Sequence, residues 1–266
     1  KNMLFETSTS ILRDEKESFL GYILLLRDIT EIQHLKKEVL RKERLASLGS
    51  LAAGVAHEIR NPLSSIKGFA TYFKDRYRDV PEDQKTADIM IKEVERLNRV
   101  VGQLLEFARP MDVVKKQVNL AETIRHSLEM IRSQAVTKGI RIVSDDVPAE
   151  PLYVHIDQDK IGQVLLNVYL NAMEAMDDGG TLKVRTENDP VNSNVIISVS
   201  DTGHGIPLQD LSRVFDPYFT TKQSGTGLGL AIVHKILEAH SGQIKITSTE
   251  EQGTTVSIIL PVRGEE

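Results

Sequence analysis

AAGVAHEIRNPLSSIKG, residues 52–68, carries apolar side chains at alternating steps of three and four. Followed in both directions, the steps run Leu45, Leu48, Ala52, Val55, Ile59, Pro62, Ile66, Phe69 and Phe73. Such a heptad seam marks a helix that packs in a bundle. RYRDVPED, residues 76–83, interrupts it. A second seam follows at Met90, Val94, Leu97, Val101, Leu104 and Ala108, and Pro110 stops it. Two amphipathic helices with a short polar break form an antiparallel hairpin. A hairpin with one apolar face needs a partner, so a dimeric four-helix bundle is expected.

Within the opening stretch, His57 falls at heptad position f, turned away from the seam. A lone histidine there is ordinarily a solvated surface residue. Its neighbours suggest more. Glu58 is adjacent and able to orient the imidazole and take its proton. Asn61 lies four residues on, sharing the face of His57. Pro62 removes a helix hydrogen bond and is expected to bend the helix. The set suits a neutral, nucleophilic imidazole aimed by a carboxylate.

The rest of the chain has room for at least one more domain, at 266 residues in all. Hydrophobic residues make up 40% and charged residues 27%, an ordinary globular composition. The net charge of −5 leaves no broad basic surface for nucleic acid. With no cysteine, disulfides and thiolate metal sites are excluded. The longest apolar run, FLGYILLL at residues 19–26, is too short to span a bilayer and lacks the flanks of a signal peptide. The first residue is not Met, which suggests a fragment of a longer protein.

Residues 1–30 hold two strand-like runs around EKES, a hairpin too small to stand alone. After about Val118 helix and strand patterns alternate. A helix in NLAETIRHSLEMIRSQAVTKG opens on Asn119 and stops at Gly139. IRIVSDDV and LYVHID read as strands, residues 157–176 as a helix, and TLKVRTE and NVIISVSD as strands. A Gly-rich region, a helix over 228–240 and two last strands, GQIKITST and TTVSIILPV, complete the pattern. This predicts an α/β sandwich, one mixed sheet with helices on one face.

Four clusters in this part could serve an anionic ligand. In QVLLNVYLNAMEAM, Asn167 and Asn171 project from one helix face, with Glu174 nearby. Such oxygens suit a polar cavity holding Mg²⁺. In DTGHGI, Asp201 ends an apolar strand, placed to accept from an exocyclic amine, and Gly203 and Gly205 let backbone approach a flat ring. FDPYFTTK supplies loop-packing aromatics and Lys222, within reach of phosphates. GTGLGL places Gly225, Thr226, Gly227, Leu228 and Gly229 directly before a helix, where free N–H groups and the dipole favour anions. It is neither a Walker loop nor a dinucleotide fingerprint. Each cluster alone is a modest signal; four in order, downstream of His57, are specific.

Together these motifs resemble the bacterial sensor histidine kinases of two-component systems. HEIRNP resembles the H box, and NVYLNA, DTGHGI, FDPYFTTK and GTGLGL resemble the N, G1, F and G2 boxes. The wording is most similar to the nitrogen-regulation and zinc-responsive branch, and residues 1–30 are similar to the end of a PAS sensory domain. The resemblance implies an α+β multidomain chain. Its parts are a PAS remnant at 1–30, a signalling coiled-coil helix at 31–46, a dimerisation and phosphotransfer domain at 47–112, and a Bergerat (GHKL) ATP-binding domain at 113–266. It also implies ATP and Mg²⁺ as cofactors. His57 would be the phosphoacceptor through Nε2, Glu58 its general base, and Asn61 an aid in placing the γ-phosphate and in dephosphorylating the partner. Asn171 would hold Mg²⁺ and Asn167 would line the same cavity. Asp201 would bind the adenine amine beside Gly203 and Gly205, and Lys222 with residues 225–229 would close over the phosphates. The implied partners are a second copy of the chain and the receiver domain of a response regulator, with no nucleic acid. The implied setting is the cytoplasmic portion of a sensor held at the bacterial inner membrane by segments absent here. An ATPase or molecular clamp of the same fold and a nucleotide-binding adaptor without turnover are the rival readings.

Overall fold

In the computed structural model, residues 4–13, 15–30, 33, 58–109, 111–147, 151–177, 179–222 and 225–262 are described. His57, the seam residues Leu45, Leu48, Ala52 and Val55, and the proposed signalling helix at 31–46, save Gln33, lie outside these residues.

The expected N-terminal hairpin is present. Strand β1 (Phe5–Arg13) pairs antiparallel with β2 (Phe19–Asp28), from Phe5 opposite Asp28 to Arg13 opposite Phe19. Its apolar side chains, Phe19, Tyr22 and Leu25 among them, remain exposed. At the end of β2 the Asp28 carboxylate accepts from both the backbone N–H and the hydroxyl of Thr30. Those two bonds hold the Asp28 carboxyl below its usual range.

Helix α1 occupies residues 58–76 and continues through Pro62. Helix α2 (Pro81–Ala108) follows after a short turn. Its first residue is the proline that looked like part of the break. Proline is suited to that place, since an N-terminal helical N–H has no partner to lose. Lys67 bridges Glu95 at 2.8 Å and Lys74 bridges Asp88 at 2.6 Å. One heptad forward on α1 is thus one heptad back on α2, which fixes the antiparallel pairing. The burial differs from a simple closing of the two seams. Leu63 and Ala70 of α1 are buried, as are Ala87, Val94 and Val101 of α2. The seam residues Ile59, Ile66, Phe69 and Phe73 remain exposed, with Met90 and Leu97. The intrachain contact therefore runs along the flank of the α1 seam, whose described a and d positions face outward, and meets Val94 and Val101 of the α2 seam.

The C-terminal part is the expected two-layer sandwich. Five strands, β4 (Ile140–Asp146), β6 (Gly180–Asp189), β7 (Asn194–Asp201), β8 (Gln243–Thr249) and β9 (Gly253–Pro261), form a sheet in the order β4-β6-β7-β9-β8. Only β4 and β6 run parallel; the other neighbours are antiparallel. Alternation along β7 turns Val195, Ile197 and Val199 inward and Ser198 and Ser200 outward, where they meet Ser257 and Thr255 of β9. Helices α3 (Leu120–Thr137), α4 (Gln158–Glu174) and α5 (Gly229–Ala239) cover the inner face, and Ile124, Leu165 and Ile232 are buried there.

Two details depart from the sequence reading. Strand β5 (Tyr153–Ile156) does not join the large sheet. It pairs with β3 (Lys116–Asn119) in a small antiparallel sheet beside it. Asn119 does stand at the start of α3, yet its side chain caps nothing there. Its Oδ1 accepts from Leu152 N–H at 3.2 Å, and Leu120 N–H donates to the Leu152 carbonyl at 2.8 Å. The residue thus ties the chain entering α3 to the strand before α4.

The join between the two parts is packed. Phe107, near the end of α2, is only 3% exposed and belongs to the core beneath the large sheet. Glu106 accepts from Lys160 Nζ at 3.2 Å and from Gln163 Nε2 at 2.7 Å, both on α4. Lys235 of α5 donates to the carbonyls of Phe107 and Arg109. Val114 N–H donates to the Asp157 carboxylate, which also caps α4 through Lys160 N–H. Burial works to raise the Asp157 carboxyl; these N–H groups, electrostatic attraction from the His240 ring and the Asp159 N–H pull it below its usual range.

Candidate functional site

The first element of the site is one face of α4. Asn167, Asn171 and Glu174 are spaced by four and three, so they line one stripe. Asn167 Nδ2 donates to the Gln163 carbonyl at 3.0 Å, which fixes its amide. The start of α5 lies against this stripe. A Cβ added to Gly229 would stand 3.3 Å from Asn167 Oδ1 and 3.9 Å from Asn171 Nδ2. No side chain caps α5. Its first N–H groups are therefore available to an anion held between the two helices.

The second element is Asp201, the last residue of β7. It continues the inward phase of Val195, Ile197 and Val199, so the sheet aims its carboxylate toward the helices. It is 8% exposed. Gly203 N–H and Thr254 N–H both donate to Oδ1, at 2.9 and 3.1 Å, which leaves Oδ2 for a ligand. Burial pushes the carboxyl above its usual range, against the pull of those N–H groups, His204 and Lys222. Gly203 has a structural duty in this turn. A Cβ there would collide with the Ala175 carbonyl at the end of α4. The buried Gly205 follows, against the end of β8. These glycines serve close approach of the protein to itself, which adds to the expected approach of a ring.

The third element joins the FDPYFTTK loop to the Gly-rich loop before α5. Gly227 has φ +67°, and a Cβ there would strike the backbone at Tyr218 and Phe219. Tyr218 N–H donates to the Gly227 carbonyl at 3.0 Å. Gly225 presses on the Thr220 hydroxyl in the same way. Leu228 is buried in the core, so only its backbone could face a ligand. Thr226 Oγ1 accepts from Leu228 N–H and donates to Gln103 Oε1 of α2 at 2.7 Å. Lys222 Nζ reaches across to α4, donating to Asn171 Oδ1 at 3.2 Å and to Glu174 Oε2 at 2.5 Å.

The structure thus draws Asn167, Asn171, Lys222 and residues 225–229 around the start of α5, while Asp201, Gly203 and Gly205 stand in the turn beside the end of α4. Glu58 and Asn61 are both exposed, one turn apart on α1. His57 lies outside the described residues. Sequence reasoning missed Thr254 and the contribution of Gln103 and Glu106. Thr254 carries no side-chain signal, because its part is played by backbone N–H on a neighbouring strand. Among the described residues no group of three or more His, Asp or Glu side chains is placed to hold a metal ion. A cation at Asn171 would complete its coordination from a ligand.

Two protein families match the sequence: the His Kinase A phospho-acceptor domain over residues 47–112, and the histidine kinase-, DNA gyrase B-, and HSP90-like ATPase over residues 156–264. The chain is also similar to histidine kinase ThkA, in its crystal structure with response regulator protein TrrA. The TM-score is 0.64 and the identity 31%, covering 97% of this chain and 75% of that one. The chain belongs to the histidine kinase family. As a histidine kinase it is 44% identical over 262 residues to sensor histidine kinase ZraS of Escherichia coli (strain K12), covering 98% of this chain and 54% of that protein. It therefore spans about half the length of the curated relatives it matches. Full-length ShkA in complex with AMPPNP shares the fold at a TM-score of 0.67 and 24% identity, covering 80% of this chain and 45% of that one. The phospho-acceptor match contains His57, Glu58 and Asn61, and the ATPase match contains every residue of the site on α4, β7 and the two loops.

Proposed function

We propose that this chain is the kinase portion of a sensor histidine kinase, which transfers the γ-phosphoryl group of ATP to His57 and then to an aspartate of a response regulator. The observation that carries the reading is the pairing of two features in one domain. A buried carboxylate has one oxygen saturated by backbone and one left for an amine. Beside it an uncapped helix start faces two amides and a lysine. The first suits adenine, the second a triphosphate. The AMPPNP complex of ShkA, a protein of the same fold, supports the choice of nucleotide.

Catalysis of this kind rests on positioning and charge neutralisation. Asp201 Oδ2 accepts from the adenine amine, with Gly203 and Gly205 beside the ring. The first N–H groups of α5 and residues 225–229 receive phosphate oxygens, and Asn167 holds the floor of the pocket. Asn171 Oδ1 would hold a magnesium ion, whose charge would offset that of the phosphates; the oxygen donors at this face fit such a hard cation. Neutral His57 attacks the γ-phosphorus through Nε2. An N–P bond forms, the bond to ADP breaks, and ADP leaves with the electron pair. Glu58 takes the Nδ1 proton. The phosphoryl group then passes to the regulator aspartate as the N–P bond breaks. Asn61, on the same face, orients a water for the reverse duty of dephosphorylating the regulator.

The chain acts as a homodimer in this reading. The exposed side chains of Ile59, Ile66, Phe69 and Phe73 support it, since a second hairpin would bury them. The structure of ThkA with TrrA supports a receiver domain as partner. Attachment of the whole protein to a membrane through other segments belongs to the same proposal. No described helix is long and apolar enough to cross a membrane.

The test is to incubate the chain with γ-labelled ATP and Mg²⁺, then add a panel of receiver domains. The kinase reading expects acid-labile, alkali-stable label on the chain that moves to one receiver. Free phosphate release without protein label would make the chain an ATPase instead.

A further inference from the structure

We propose that Glu174 completes a cation seat with Asn171, and that the Lys222 ammonium fills this seat until a divalent cation arrives with nucleotide. The proposal rests on the nucleotide-site reading above and adds a residue and an exchange step to it. Glu174 stands three residues after Asn171, so its carboxylate and the Asn171 amide share one face of α4. Lys222 Nζ touches both, at 3.2 Å from Asn171 Oδ1 and 2.5 Å from Glu174 Oε2. One positive group is thus held by an amide oxygen and a carboxylate oxygen, the donor types that Mg²⁺ and Mn²⁺ take.

The lysine comes from a loop 48 residues away in sequence, so helix geometry alone does not impose the contact. The pair is also exchangeable. The Lys222 side chain is 33% exposed and that of Glu174 51%, so solvent screens the attraction. No cage of three acidic or imidazole ligands lies among the described residues. The seat alone therefore binds a cation weakly, and phosphate oxygens must supply the remaining ligands. That couples metal entry to nucleotide entry. The exchange also frees an ammonium where it is useful. Lys222 lies against Gly225, so once displaced it is already beside the loop that faces the phosphates. A divalent charge enters the seat as a single charge moves toward the anion.

The experiment follows free Mn²⁺ by electron paramagnetic resonance in titrations of the whole 266-residue chain. Without nucleotide, Lys222→Met should bind Mn²⁺ at least fivefold more tightly than wild type, because the competing ammonium is gone. Adding Glu174→Gln to that variant should return the affinity to the wild-type level or below. With saturating AMPPNP, Glu174→Gln alone should need several-fold more Mn²⁺ for half-saturation. Equal affinities for wild type and Lys222→Met would overturn the exchange, and a double variant as tight as Lys222→Met would overturn the role of Glu174. Failure of the wild type to bind AMPPNP would instead remove the nucleotide reading, while the nucleotide-free ranking would still decide the seat.

Discussion

The helical hairpin and the ATP-binding domain have equally regular apolar patterns, and they use them differently. In the ATP-binding domain nearly every inward position is covered within one chain, from Ile124 to Leu260. In the hairpin Leu63 and Ala70 find cover, but Ile66, Phe69 and Phe73 do not. Periodicity says which side chains must be buried; it does not say whose atoms bury them. A sheet with three helices closes a core alone. Two helices leave much of their apolar seam open, and in the proposed homodimer a second copy would cover it.

Changing the open face should give the largest effect. Phe69 is 64% exposed in the chain, so Phe69→Glu should leave the melting of the ATP-binding domain unchanged. It should cost the dimer about 3 to 6 kcal/mol, since each of two copies loses the burial of one aromatic side chain. Sedimentation velocity would show a monomer at concentrations where wild type is dimeric. An unchanged dimer would mean that the hairpin is covered in another way.

Next comes the residue that blurs the division. Phe107 lies on α2 but packs in the core of the other part, so Phe107→Ala should destabilise the ATP-binding domain by about 3 to 5 kcal/mol. Urea denaturation followed at both regions would check it. If only the hairpin loosened, the two cores would be separate after all.

These two residues also show what could be read in advance. The hairpin, the sandwich and the polar clusters were legible because each is a local signal: a spacing, a strand alternation, a glycine before a helix. Phe107 stands outside the α2 seam, and the core it joins is built from residues far away in sequence. β3 was missed because four residues, two of them exposed and polar, carry no usable period. Asn119 was placed correctly at a helix start, but its hydrogen bond goes to Leu152, a partner set by tertiary packing. Lys222 was expected at phosphates from its loop alone; its contacts to Asn171 and Glu174 on α4 are set by tertiary packing.

A third, smaller effect lies inside the site. Asp201→Asn keeps the volume but loses the charge that an adenine amine would meet. A hydrogen bond to a charged group is worth about 1.5 to 3 kcal/mol, so ATP should bind about ten- to a hundredfold more weakly. Calorimetry with ATP and GTP should show a reduced preference for ATP. An unchanged preference would remove Asp201 from base recognition.

The smallest effect is a pH dependence confined to the ATP-binding domain. His240 is buried, with Nδ1 bonded to the Ile236 carbonyl at 2.8 Å and Nε2 accepting from Asp157 N–H at 3.0 Å. The ring is held neutral, and burial, the dominant cause, lowers its proton affinity. The unfolded chain takes up this proton near pH 6.5, the folded one only at lower pH. Stability is therefore full above about pH 6.5 and falls as pH drops through the window down to the native value. Urea midpoints between pH 7.5 and 5.5 should decline for wild type. His240→Gln, less stable at pH 7.5, should lose this part of the slope.

The central claim is that the ATP-binding domain serves a histidine on the hairpin. The most direct measurement compares wild type and His57→Gln for label taken from γ-labelled ATP, alongside the dissociation constant for AMPPNP. The account predicts that the variant takes up no acid-labile label while binding AMPPNP within about twofold of wild type, a change of under 0.5 kcal/mol, as expected for separate sites. Label retained on a histidine of the variant would contradict it and move the nucleophile elsewhere.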